Sequence, residues 1–243
     1  MLMSPAGGLR YHWRALKHSK VLWAPFRQAV GTWLAQWRPP ERGLILIGPS
    51  AGYCLNPEFL ARFDQVVALE PDPIARALLP FRMKHPRLVL REETFFTAHD
   101  EATRLAGFQS LLRDYPDSAV LFCNLLGQLR LLVDDAAEDA FLTSWKSHLL
   151  PELGTQSWAS FHDRYSGPLA PALKAPLSFA SRPTDREMLD TCYSGTKGGE
   201  LFDHLTEGFF PPNRQHSYFS WQLTPGHWHL VEGVQHSAAF SEK

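Results

Sequence analysis

Short unbroken apolar runs alternate along this chain with stretches in which apolar residues return every three or four positions, so strands and helices are predicted in turn. Leu44 to Ile47 and Val66 to Leu69 are two such runs, each bounded by turn residues, as strands buried on both faces of a parallel sheet usually are. Between them Asn56 precedes Pro57, a cap residue followed by a proline at the first helical position, and Phe59, Leu60 and Phe63 supply an apolar face. Asp72 and Pro73 repeat the device ahead of Ile74, Ala77, Leu78 and Phe81.

Further on, Arg87 to Arg91 (RLVLR) predicts a third strand, and a helix from about Ala98 to Tyr115 carries Leu105, Phe108, Leu111 and Leu112 on one side. Ser118 to Cys123 (SAVLFC) predicts the fourth strand and Gln156 to Phe161 (QSWASF) the fifth. Between these two, Asp135 and Glu138 form a capping-box pattern ahead of a helix marked by Phe141, Trp145 and Leu149. Pro168, Pro171, Pro176 and Pro183 predict a long loop or insertion over roughly 165–184. Thr184 with Glu187 signals a short helix and Gly199 to Phe209 another. The runs Ser217 to Leu223 and His227 to Val234 flank a Thr224-Pro225-Gly226 turn as antiparallel partners.

Ahead of the first strand, Phe26, Val30, Trp33, Leu34 and Trp37 recur at helical spacing from Ala24 to Trp37, and Pro39 and Pro40 end that helix. Charge sharpens the view of this segment. The whole chain of 243 residues has a formal net charge of -1, yet residues 1–42 carry seven Lys and Arg against the single acid Glu41. Two functions fit such a basic, aromatic arm, a nucleic-acid contact or a lid, beside the plainer one of a helix packed on the edge of the domain. The division expected is an arm over 1–42 and one α/β domain over 43–243.

Composition excludes several classes. Hydrophobic residues at 44% and charged residues at 20% are ordinary for a globular domain. Cys54, Cys123 and Cys192 are too few and too scattered for a disulfide framework or a thiolate zinc site, which points to a reducing, cytoplasmic compartment. No stretch reaches the run of about 18 apolar residues that spans a membrane. His227 and His229 share a strand face that could hold a metal, but no acid or cysteine at a familiar spacing accompanies them, and no metal is expected.

The stretch GLILIGPSAGYCLNPEFLARFDQVVALEPDP, residues 43–73, carries the main chemical signal. A strand, a glycine turn, a helix and a second strand ending in an acid make the first half of a nucleotide-binding βαβ unit. Glu70 stands about twenty residues beyond the turn, where a carboxylate accepts both ribose hydroxyls. His162, Asp163, Arg164 and Tyr165 follow the fifth strand, at the edge where open α/β sheets bind ligands, with His162 as a general base and Tyr165 as a substrate contact.

Five βα units closed by a strand pair resemble the class I S-adenosylmethionine-dependent methyltransferase family, over about residues 43–236. The resemblance implies a three-layer Rossmann-like fold, a mostly parallel seven-stranded sheet with an antiparallel C-terminal strand. It implies S-adenosylmethionine as cofactor, held by Gly48, Ser50 and Gly52 of the first motif and by Glu70, with Glu92, Glu93 and Thr94 bordering the adenine. Asn124, after the fourth strand, falls where the family meets both methionine and acceptor. Two positions depart from the pattern: Leu46 replaces the acid that ends the first strand, and Ser50 replaces the middle glycine. The Asp-Pro-Pro-Tyr or Asn-Pro-Pro-Tyr signature is replaced by Asn124-Leu125-Leu126-Gly127, against base N-methylation of that type. A small-molecule or peptide acceptor is the expected substrate, with RNA reached through the basic arm as a variant. A non-catalytic binding or scaffold protein and a nicotinamide-dependent oxidoreductase are the alternatives.

Overall fold

A computed structural model describes residues 8–93, 95–98, 100–131, 141–154, 156–193 and 201–238. Strands β1 (Gly43–Ile47), β2 (Gln65–Leu69), β3 (Leu88–Arg91), β4 (Ser118–Cys123) and β5 (Trp158–Gly167) are joined in parallel in the order β3-β2-β1-β4-β5. The sheet continues through β9 (His227–His236) to β8 (His216–Thr224), and β9 runs antiparallel to both neighbours. An all-parallel dinucleotide fold lacks such an inserted reversed strand.

Alternation along the strands divides the core into two layers. Leu44, Leu46, Val66, Ala68, Ala119 and Leu121 face one cluster with Phe26, Val30, Leu34, Phe59 and Leu79. These come from α2 (Ala24–Gln36), α3 (Pro57–Leu60) and α4 (Pro73–Met83). Ile45, Ile47, Val67, Leu69, Val120 and Phe122 face the other, with Phe108 and Leu111 of α5 (Glu101–Asp114) and with Trp145 and Leu149. Side chains two apart share a face, which is why an unbroken apolar run is needed where both faces are covered.

The arm is built into this core. Helix α1 (Leu9–His18) leads to α2, whose Trp33 and Phe26 lie on β8, the latter stacked on Trp221 at 4.9 Å. Trp23 and Trp37 are fully buried, and their indole N–H groups donate to Leu223 O and His236 O. Gly233 admits this packing, since a Cβ there would stand 2.8 Å from Phe219 and 3.1 Å from Trp33.

Several expected elements differ. Strand β5 continues six residues past the expected end at Phe161, because β9 goes on pairing with it beyond the end of β4, as far as Gly167 with Trp228. The Pro-rich stretch is not wholly irregular: Leu177–Phe179 forms β6, which pairs with β8. No helix occupies residues 201–209. Phe202–Asp203 instead forms β7 against Ser166 and Tyr165, and Leu205 and Gly208, at φ 51° and 79°, turn the chain away from helical geometry. The segment ahead of β5 includes a π-helix, Trp145–Leu149. The Asp135–Glu138 pair, Thr94 and residues 199–200 lie outside the described residues. The capping box at Thr184 does form, with Thr184 and Glu187 bonding reciprocally ahead of α6 (Asp185–Tyr193).

Candidate functional site

Register fixes what meets at the carboxyl edge. Ile47 lies beside both Leu69 and Phe122, so β1, β2 and β4 end nearly level. The chain leaves β1 at Gly48, β2 at Glu70 and β4 at Asn124, and the gap between β1 and β4 is where the strand order reverses. Ligands of open α/β sheets bind at such a switch point.

The turn after β1 holds Gly48, Ser50 and Gly52 at φ 66°, 49° and 69°. Glycine meets this at no steric cost, whereas Ser50 carries a Cβ through the left-handed region. Glu70 supports it there: Ser50 N–H donates to Oε2 at 2.7 Å, and Asp72 N–H donates to Oε1 at 2.9 Å. Only 5% of Glu70 is exposed, and burial pushes its carboxyl up to about 7 despite these two donors. A Cβ on Gly48 would stand 3.2 Å from Leu125 Cβ, so the first glycine permits β1 and the β4 loop to close together. Gly52 faces inward, towards Met83 and Leu79. Leu46 is fully buried among the α2 side of the core.

Helix α1 lies against this turn. Nδ1 of His12 is 3.1 Å from the Tyr53 hydroxyl and Nε2 is 3.0 Å from Asp72 Oδ2, while Arg82 stacks on Tyr53 at 4.2 Å. The opposite face of α1 presents Trp13 and Lys17 to solvent, the ammonium 5.2 Å from the indole. The arm thus has one face on the glycine turn and one basic, aromatic face outward.

Beyond β3, Glu93 accepts from Arg91 Nε at 2.6 Å and keeps a buried Oε2 with no hydrogen-bond partner. Glu92 pairs with Arg76.

The β4–β5 end brings together a different set from the one expected. Asn124, at φ 56°, bonds to Asp163 in both directions: its Nδ2 donates to Asp163 Oδ2 at 2.9 Å, and its Oδ1 accepts from Asp163 N–H at 2.8 Å. Gly127 packs so closely on this pair that a Cβ would fall 2.5 Å from Asp163 N. His204 reaches in from the loop after β7, its Nδ1–H donating to Gly127 O at 2.6 Å and its Nε2 accepting from Ser166 Oγ at 2.9 Å. His229 of β9 places Nδ1 3.0 Å from Asp163 Oδ1. Burial works to raise the Asp163 carboxyl, but His229, His204 and the Asn124 amide outweigh it and hold it well below the usual range. Burial lowers His204.

His162 and Tyr165 go elsewhere. His162 is 1% exposed, with Nδ1 2.9 Å from Ser160 Oγ and Nε2 3.4 Å from Glu232 Oε2. Glu232 also receives His216 and the Tyr218 hydroxyl on Oε1; burial works to raise its carboxyl, but His162 and His216 outweigh it and hold it far below its ordinary range. Tyr165 packs with Met188, Cys192 and Tyr218, and burial raises its hydroxyl. The strand alternation and the irregularity between Asp163 and Tyr165 put Asp163 beside Asn124 and turn His162 to the opposite face. The sequence places Asp163 at this edge with the HDRY run after Phe161, but not its partner His204, nor Glu232, because these lie far along the chain.

Known structures share this architecture. The chain is similar to an S-adenosylmethionine-dependent methyltransferase from Anabaena variabilis, at 13% identity and a TM-score of 0.50, over 93% of this chain and 90% of that one. Looser likenesses include the DhpI-SAM-HEP complex, at 15% identity and a TM-score of 0.44 over 93% and 94% of the two chains. Another is the N-methyltransferase NodS from Bradyrhizobium japonicum, at 8% and 0.40 over 91% and 87%. No protein-family model and no curated relative matches the sequence. The fold is that of the class I S-adenosylmethionine-dependent methyltransferases. Among the described residues no helix is long and apolar enough to cross a membrane.

Proposed function

We propose that this chain is an S-adenosylmethionine-dependent methyltransferase acting on a small molecule or peptide. One observation carries the reading: a nearly buried carboxylate, Glu70, ends β2 beside the positive-φ turn of β1, at the switch point of a sheet whose reversed strand is that of the methyltransferase fold. The residues present suit the cofactor. Each carboxylate oxygen of Glu70 uses one lone pair on a backbone N–H and keeps another for a ribose hydroxyl. Glu93 offers a buried acceptor without a partner on the side where the adenine is expected.

When bound, the cofactor supplies a methyl group on a sulfonium sulfur. The chain's own part is alignment: Gly48 and Ser50 bring backbone close to the ligand, Glu70 fixes the ribose, and Asn124 faces the acceptor with its amide locked on Asp163. His162, held by Ser160 and Glu232, and Tyr165, packed with Met188, Cys192 and Tyr218, support the β5–β9 framework in place of the general-base and substrate-contact roles expected of them. Helix α1 covers the turn through His12 and Tyr53 and encloses the ligand. The reversed β9 argues against a nicotinamide-dependent oxidoreductase. An RNA acceptor has support only from the outward face of α1, where Trp13 and Lys17 are exposed.

Calorimetric titration of the folded protein with S-adenosylhomocysteine tests the proposal. Saturable binding at one site is expected, and no detectable binding refutes it. Binding without methyl transfer to any of a panel of small molecules and peptides would favour the scaffold alternative.

A further inference from the structure

Asp163, His204 and His229 converge from β5, the loop after β7, and β9, and each offers a ligand atom within 4.8 Å of the other two. All three are buried. Water therefore cannot easily satisfy them, and a buried polar atom without a partner is costly. Yet Asp163 Oδ1 and both ring nitrogens of His229 lack a hydrogen-bond partner. Oδ1 and Nδ1 lie 3.0 Å apart as a charge pair, but without a well-formed hydrogen bond between them.

The surroundings hold the other atoms of the group in place. Asp163 Oδ2 is occupied by Asn124, which turns Oδ1 towards the imidazoles. His204 gives its Nδ1–H to the Gly127 carbonyl, which leaves the lone pair on Nε2. Metal-bound histidines characteristically donate their second nitrogen in this way, fixing tautomer and ring angle. The Ser166 hydroxyl donates to that lone pair, and rotation of the hydroxyl frees it.

We propose that Asp163, His204 and His229 bind one divalent transition-metal ion of the zinc class. Two imidazoles and one carboxylate, with an open position left, are a donor set used by ions of this type. Ligands at about 2.0–2.2 Å from a tetrahedral ion lie roughly 3.3–3.6 Å apart. Asp163 Oδ1 and His229 Nδ1, at 3.0 Å, thus need to open slightly, and no pair, all being within 4.8 Å, needs to close by more than about 1.5 Å, within reach of side-chain rotation. His227 is not one of the three, although its ring centroid lies 5.2 Å from that of His229. Because Asn124 holds Asp163, the ion stands at the edge where the acceptor is placed, and its open position favours an acceptor bearing oxygen ligands. That last step rests on the methyltransferase reading; the ion site does not.

The test is titration of the chelator-treated full chain with Co2+, read by its visible absorption, and with Zn2+, read by elemental analysis after gel filtration. Binding of about one equivalent is expected, weakened by roughly tenfold or more in His229→Gln and in Asp163→Asn, and retained in His227→Gln. Circular dichroism shows which variants are folded, and if Asp163→Asn is not, His229→Gln carries the test. Wild-type protein that retains no metal, or a folded His229→Gln variant that binds as tightly as wild type, overturns the site. S-adenosylhomocysteine titrated into the same samples separates the two claims: nucleoside binding without metal leaves the methyltransferase reading standing, and metal binding without nucleoside leaves the ion site standing.

Discussion

The two ends of the carboxyl edge are built in different ways. The end proposed to hold the ribose draws Gly48, Ser50, Glu70 and Asp72 from one βαβ segment, and the Ser50–Glu70 bond spans 20 residues. The end proposed to meet the acceptor joins Asn124 to Asp163 over 39 residues and Gly127 to His204 over 77. A local unit keeps its geometry through its own turn and cap, whereas the distant set depends on the sheet being complete out to β9. The first should therefore respond to substitution mainly in ligand binding, and the second mainly in stability.

The largest effect expected is at the acceptor end. Gly127→Ala puts a Cβ 2.5 Å from backbone Asp163 N and 2.9 Å from its Cβ, neither of which is a flexible side-chain tip. A loss of about 3 kcal/mol in urea unfolding is expected, the upper part of the range for overpacking. An unchanged midpoint would mean that the β4 loop gives way, and the contrast between the ends would weaken.

At the ribose end, Glu70→Ala should reduce S-adenosylhomocysteine affinity by roughly thirtyfold, the value of one or two hydrogen bonds to a charged group. Calorimetry reads this directly. Equal affinity would move the ribose contact away from Glu70.

A smaller effect comes from pH. Burial raises the Glu70 carboxyl to about 7 in the unliganded chain, so below that value it is mainly protonated and the ionised acceptor is scarce. If only the ionised form accepts both hydroxyls, affinity rises roughly tenfold from about pH 6 to about pH 8. Stability moves the opposite way: the native state binds the proton more tightly than the unfolded one, so Glu70's contribution falls as pH rises from the ordinary carboxylate range to about 7, then levels. A flat affinity profile would show that Glu70 is ionised throughout.

The smallest effect expected is that of Asp163→Asn on S-adenosylhomocysteine. Asp163 touches Asn124, His229 and Thr206, none of which belongs to the ribose end, so affinity should stay within about twofold, well under the 1.4 kcal/mol of a tenfold change. A larger loss would show that the two ends are one site.

The same contrast explains what the sequence disclosed. Residues 43–73 carry their own punctuation: Asn56 and Asp72 do cap the helices after them, and the apolar runs are strands within a residue of their expected bounds. The reversed terminal strand was legible from the Thr224-Pro225-Gly226 turn. What could not be read was the face each residue of β5 would present. The strand reached Gly167 only because β9 extends alongside it, and an irregularity at Arg164 set Asp163 and Tyr165 on unrelated neighbours. His229 shares a strand face with His227 in the sequence, but its neighbours Asp163 and His204 come from β5 and the loop after β7, which no spacing in the chain connects. In the arm, charge alone does not show which aromatic residues are buried: Trp13 on α1 faces solvent, while Trp33 within α2 and Trp23 and Trp37 at its two ends enter the core.

The central claim is that Glu70 holds a ribose at the switch point of this sheet. A crystal structure of the chain with S-adenosylhomocysteine tests it most directly. The expected result is both ribose hydroxyls on the Glu70 carboxylate with the nucleoside across the Gly48–Gly52 turn. A nucleoside bound elsewhere, with Glu70 still engaged only by Ser50 and Asp72, would contradict it.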